Sequence, residues 1–152
     1  MSESINDFNR SDIVNRAIIL ANKAHSQDMW GEHPYSIHLA LTAVKIREVI
    51  PGVPMAEAAA WLHDVVEDHP EYASQVREEF PEVYEAVVNV SRKSDESYDE
   101  FIDRVIGTKD RLTISLKYAD MSVNLGNNPR ESLRERYEKN IDRLAEALKE
   151  FE

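Results

Sequence analysis

AAAWLHDVVEDHP, residues 58–70, is the stretch from which the rest of the chain is read. Ala58 to Leu62 and Val65–Val66 put small or apolar residues on nearly every face of a helix, so the segment reads as buried. It then ends in His63, Asp64, Glu67 and Asp68, directly before Pro70. Acids in a last helical turn face the negative end of the helix dipole, where Lys or Arg is favoured. Breaks of a local rule concentrate at functional sites. His63 and Glu67 are four residues apart, as are Asp64 and Asp68, which places them in adjacent rows on one side. Buried carboxylates need compensation, and a metal ion is one of the standard ways to give it.

Two other segments supply partners for that strip. In RLTISLKYADMSVNL, Thr113, Lys117, Asp120 and Asn124 follow a 4-3-4 spacing along one face, while Leu112, Leu116, Ala119, Val123 and Leu125 make much of the rest apolar. Upstream, His38 stands among Ile37, Leu39, Ala40 and Leu41. A lone His in such surroundings is usually a hydrogen-bonded core residue. Taken with His63, Asp64 and Asp120, it completes a set of two imidazoles and two carboxylates on three helices. A mixed N/O set of this kind suits one divalent ion, Mn²⁺ first, with Fe²⁺, Zn²⁺ or Co²⁺ as alternatives.

Helical periodicity dominates the remainder, and only four glycines punctuate it. Residues 1–10 read as a polar tail and 11–152 as a single all-α domain of about eight helices. The first helix is expected over 11–27, capped by Ser11 or Asp12. The second runs from Ser36 to Ile50 after a turn at WGEHPY, the third from Met55 to Asp68 and the fourth from Glu71 to Phe80. The fifth spans Pro81 to Arg92, followed by the polar loop SRKSDES. The sixth covers Tyr98 to Ile106, the seventh Asp110 to Leu125, and the last runs from Glu131 to the end. In that last helix Leu133, Tyr137, Ile141, Leu144, Leu148 and Phe151 form one apolar stripe, which closes the core or, alternatively, seams a homodimer.

Composition narrows the function. Of 152 residues, 42% are hydrophobic and 31% charged, an ordinary globular balance. A net charge of −11 argues against a nucleic-acid polymer or a membrane surface as partner, because both call for basic patches. It leaves room for a small phosphorylated ligand, since a bound cation can supply positive charge locally. The absence of cysteine excludes disulfides, Cys-based zinc sites and a Cys nucleophile. No stretch has signal-peptide or transmembrane character, which makes the cytoplasm the expected location.

The segments GEHPYSIH (31–38), AAWLHDVVED (59–68) and LKYADMSVNL (116–125), in this order, resemble the HD superfamily of metal-dependent phosphohydrolases. They are most similar to the ppGpp-hydrolase domain of RelA/SpoT-type proteins and their small stand-alone relatives. HD alone is a weak dipeptide; HD followed by ED, with the upstream His and a downstream KxADxxxN, is a specific combination. The resemblance covers about residues 12–125. It implies that His38, His63, Asp64 and Asp120 hold the metal and that Glu67 and Asp68 are the catalytic pair. It further implies that Asn124 meets the sugar or base of a nucleotide, and that Lys117 lies near a phosphate or pairs with an acid. The implied reaction is a (p)ppGpp 3′-pyrophosphohydrolase step, in which a metal-bound water attacks and pyrophosphate leaves. The chemistry is consistent: carboxylates one turn beyond the ligands can orient or deprotonate such a water.

The chain also departs from that family. Its members carry a basic segment before the GEPY turn; here the segment is HSQDMW (25–30), and no Lys or Arg lies between Lys23 and Lys45. His33 is inserted into the turn, and MSV follows Asp120 where a basic residue and a Leu are usual. Trp30 is read as a core or surface residue, with base stacking as the alternative. His25, His33 and His69 read as neighbours of the centre or surface groups, and a second metal would need some of them. Glu78, Glu79 and Glu82 read as a solvated face. The rival functions are an HD-type hydrolase of another nucleotide or phosphorylated metabolite, and a non-enzymatic nucleotide-binding helical module. The latter predicts a lost catalytic position, and none is lost.

Overall fold

The computed structural model describes residues 2–152, with side chains from Asp12 onward. The helices are α1 (Ser2–Ala24), α2 (Tyr35–Val49), α3 (Pro54–Leu62), α4 (Val65–Asp68), α5 (Ala73–Glu79), α6 (Pro81–Asn89), α7 (Tyr98–Gly107), α8 (Arg111–Gly126) and α9 (Glu131–Leu148), with short 3₁₀ turns at Pro70–Tyr72 and Lys149–Phe151. The all-α expectation holds. Strand is confined to two residue pairs, Met29–Trp30 (β1) and His33–Pro34 (β2), joined as a tight antiparallel hairpin. Gly31, at φ +61°, takes the left-handed position that a two-residue hairpin turn requires.

Two boundaries differ from the sequence reading for identifiable reasons. Helix α1 begins at Ser2, so the helical backbone runs through Ser11 and Asp12 instead of being capped by them. The helix expected over 55–68 is broken at His63–Asp64 into α3 and α4. His63 causes or secures the break, because its Nδ1–H donates to the Ala60 carbonyl at 2.6 Å and so satisfies one of the acceptors exposed at a helix C-terminus. Glu67 and Asp68 therefore stand in the single turn of α4 and not in the last turn of a long helix. The dipole conflict that drew attention to them is relieved.

Packing falls into two apolar clusters that share α8. The larger is built from α1, α2, α3 and α6 and is rich in alanine, including Ala17, Ala21, Ala43, Ala56, Ala59 and Ala60. Small side chains let these helices approach closely, and α3 packs against both α1 and α2. The second cluster has larger side chains: Phe101, Ile102 and Val105 of α7, Ile114 and Met121 of α8, and Leu144 of α9. Tyr137, Ile141, Leu148 and Phe151 pack on it as well, so the stripe of the last helix closes this core. Among the described residues, no helix is long and apolar enough to cross a membrane.

Candidate metal centre

Helices α2, α3 and α8 meet in the larger cluster, and from each, or from its end, an ionisable side chain turns inward. On α2 the buried face is His38, Leu39, Thr42, Ala43 and Ile46. On α3 the buried run Ala58, Ala59, Ala60 and Leu62 leads to His63 at the helix end. On α8, Leu116 and Ala119 join the core while Asp120 lies between them and the second cluster. His38, His63 and Asp120 are almost fully buried.

These side chains, with Asp64, place one donor atom each within 4.8 Å of the others. His38 Nε2 lies 3.3 Å from His63 Nε2 and 3.0 Å from Asp120 Oδ1. His63 Nε2 lies 2.9 Å from Asp64 Oδ2 and 3.2 Å from Asp120 Oδ1, and Asp64 is 3.6 Å from His38. Ligands held about 2.1 Å from one ion are roughly 3.0–3.4 Å apart, depending on the coordination angle. Three of these five distances fall in that range, and the other two lie within 0.2 Å of it.

Their chemistry fits a cation too. The Ala60 carbonyl can only accept, so His63 carries its proton on Nδ1 and turns the Nε2 lone pair inward. There it faces two carboxylate oxygens, an arrangement that requires positive charge in the middle. In the protein alone, protons provide it: burial would lower both imidazoles, but Asp64 and Asp120 hold His63 well above its ordinary pKa and His38 above its own. Burial would likewise raise the two carboxyls, but the imidazoles outweigh it at Asp64, and Lys117 followed by the imidazoles outweighs it at Asp120, so both stay ionised. A divalent cation can take the place of those two protons.

The surrounding groups orient these side chains. Tyr35 Oη donates to Asp64 Oδ2 at 2.6 Å; burial and the Asp64 charge raise this phenol, which remains protonated. Lys117 Nζ donates to Asp120 Oδ2 at 2.8 Å, and Asn124 Nδ2 donates to Asp120 Oδ1 at 3.3 Å. Asn124 in turn accepts from Trp30 Nε1 at 3.0 Å. Burial would strip the proton from Lys117, but Asp120 keeps it charged, and its ammonium rests 4.9 Å from the Phe101 ring centre. Thr113 is not part of the centre; it serves the α8 N-cap, where both its N–H and its hydroxyl donate to Asp110.

Glu67 and Asp68 lie at the exposed rim. Glu67 Oε1 accepts from the Arg92 N–H at 2.7 Å. Partial burial raises the Glu67 carboxyl against that hydrogen bond, and the charge of Asp64 adds to it. Asp68 is pushed up to about 7, by partial burial first and then by Asp64 and Glu67. A carboxyl poised near neutrality is suited to exchanging a proton.

The sequence reading gave Tyr35 no role, although it precedes His38 by three residues and so shares its helix face. Trp30 reaches Asn124 only through the hairpin, across a gap in sequence that no local spacing reveals.

No family model matches the chain, and no curated protein does either. Among solved structures it is similar to one described as a metazoan ortholog of SpoT that hydrolyzes ppGpp and plays a role in starvation responses. The TM-score is 0.73 at 22% identity, over 90% of this chain and 85% of that one. The chain therefore shares the all-helical fold of that protein over nearly its whole length.

Proposed function

We propose that the protein is a metal-dependent phosphohydrolase that acts on a small anionic nucleotide, most concretely a (p)ppGpp 3′-pyrophosphohydrolase-like enzyme. The convergence of His38, His63, Asp64 and Asp120 on one point, with Glu67 and Asp68 at its open rim, carries this reading. When bound, a divalent cation acidifies a coordinated water and offsets phosphate charge; Mn²⁺ is the first choice for this ligand set.

The protein's own groups have separate tasks. Lys117 holds Asp120 by Oδ2 so that Oδ1 faces inward, and Tyr35 fixes Asp64 by donating to the Oδ2 that itself faces the imidazoles. Glu67 and Asp68 orient the attacking water, accept its proton and return it to the leaving oxygen. Asn124 and Lys117 are assigned to the substrate as well: Asn124 to the sugar or base, Lys117 to a phosphate that approaches Asp120. Trp30, Ile37, Leu41, Val123 and Asn127 line a cleft of about 390 Å³ beside Asn124, and its apolar walls suit a planar base.

The test is turnover of ppGpp by purified protein with Mn²⁺, followed as pyrophosphate, with and without a chelator. Chelator-sensitive release is the expected result. A second reading, the same chemistry on another nucleotide or phosphorylated metabolite, is favoured by residues 25–30, which bring Asp28 and Trp30 but no cation toward the site. Bound metal without pyrophosphate release, and turnover in a wider panel, would select it.

A further inference from the structure

We propose that His25, Asp28 and His69 form a second divalent-cation site, separate in its ligands from the first. They come from two segments: His25 and Asp28 share the turn between α1 and the hairpin, where the Asp28 N–H donates to the His25 carbonyl at 3.0 Å, and His69 lies between α4 and the 3₁₀ turn at Pro70. Asp28 Oδ2 is 2.7 Å from His25 Nδ1 and 2.6 Å from His69 Nε2, and the three donor atoms lie within 4.8 Å of one another. The rings meet edge-on with centres 5.0 Å apart. His25 is buried and locked by stacking on Tyr35 at 4.6 Å. Its Nε2 has no partner, so Asp28 is the one polar group that engages this ring.

Charge around the cluster points the same way. Asp28, Asp68 and Glu71 have no Lys or Arg partner among the described ion pairs; imidazoles alone face Asp28 and Glu71. The sequence has no Lys or Arg from 24 to 44 to change that. Clustered carboxylates facing only neutral or singly protonated rings favour a divalent cation. Two imidazoles and one carboxylate make a softer set than the first centre offers, which selects Zn²⁺ or Co²⁺. Three protein ligands leave positions open for water or a phosphate oxygen.

The competing arrangement is a hydrogen-bonded triad, in which each ring donates one N–H to Asp28. The present contacts have hydrogen-bond lengths, and coordination would open them to about 3 Å. Asp28 and His69 both lie on connections between helices, where a shift of a few tenths of an ångström meets little resistance. Tyr35 links the two sites, stacking on His25 while it donates to Asp64. The inference concerns cation binding and stands whether or not the proposed reaction is correct.

The experiment counts metal. Full-length protein is stripped with chelator, dialysed against Zn²⁺ or Co²⁺, and analysed for ions bound per chain, with calorimetry for the two affinities. Two ions are expected for wild type, and one each for Asp28→Ala, His69→Gln and Asp64→Ala. The double variant Asp28→Ala/Asp64→Ala should bind none. His69→Gln, at a partly exposed position, decides the matter if Asp28→Ala unfolds. One ion in wild type, lost in Asp64→Ala, would leave a proton-bridged triad and overturn the second site while sparing the first. Two ions retained in both Asp28→Ala and His69→Gln would overturn it as well. One ion lost in Asp28→Ala and kept in Asp64→Ala would support this site and remove the other.

Discussion

The centre at His38, His63, Asp64 and Asp120 and the knot that Arg104 ties around residues 91–97 are both polar groups packed against apolar helices. They differ in how charge is balanced. The Arg104 guanidinium donates to Glu96 Oε2 at 2.9 Å and Oε1 at 2.8 Å, and to the carbonyls of Asn89 and Ser91. Glu96 Oε1 also accepts from the Lys93 N–H, and Ser97 with Glu100 forms a capping box on α7. One cation meets one anion, backbone groups find partners, and nothing is left over. At the centre two carboxylates face two imidazoles with Lys117 bonded to Asp120 alone, so balance needs protons or an added ion. A closed polar assembly holds a loop in place. An open one is equipped to bind.

The sharpest way to break that contrast is Asp64→Ala. It removes a candidate ligand at a position whose backbone already interrupts the helix, so the helical circular dichroism should persist. Metal binding at the first centre and turnover should both vanish. Full turnover in this variant would remove the assignment of the centre. Next in size is Glu67→Gln, which keeps an acceptor for the Arg92 N–H and removes a proton acceptor at the rim. The metal should stay while the rate falls by about 10²–10⁴, the usual contribution of a general base. An unchanged rate would take Glu67 out of the catalytic pair.

What could be read from sequence follows the same division. The cluster of His38, His63, Asp64 and Asp120 was legible as a candidate site because metal chemistry favours His and Asp, and because helical spacing shows which of them stand on buried faces. The alanine run before His63 was legible as burial for the same reason. The break between α3 and α4 was not, since it depends on a hydrogen bond from His63 to Ala60 that leaves no compositional trace. SRKSDES reads as a polar loop, yet Arg104 organises it from the last turn of α7. Nothing local to residues 91–97 announces a guanidinium that distant in the chain. The His25–Asp28–His69 cluster was hidden in the same way, because its members come together only when the hairpin and α4 are in place.

The knot offers the opposite test from Asp64. Arg104→Met should destabilise the fold by about 2–4 kcal/mol, the cost of stranding a partnered acid and two carbonyls. Metal content and the turnover rate per folded molecule should hold. Thermal or urea unfolding measures the first, and metal analysis at a temperature well below the transition measures the second. Loss of metal in this variant would mean that loop 91–97, through the Arg92 N–H on Glu67, supports the centre more than the geometry indicates.

The smallest effect should come from acid. The Arg104 hydrogen bonds beside Glu96 lower its carboxyl from an ordinary value of 4.5 to about 2. A carboxyl whose folded pKa is depressed contributes stability that is fully present above its unfolded value and is lost as pH falls toward the folded one. The window is therefore pH 4.5 down to about 2. Solvent reaches the pair, so its contribution is on the order of 1 kcal/mol. Glu96→Gln keeps one of the two acceptor oxygens and cannot titrate. Relative to this variant, wild type should be more stable by that amount at neutral pH, and the advantage should shrink through the window. The difference between the two unfolding curves isolates Glu96 from the other carboxylates, which titrate in both proteins. A constant difference across the range would show that the Arg104–Glu96 bonds contribute shape alone, and the closed assembly would owe its order to the backbone carbonyls that Arg104 also holds.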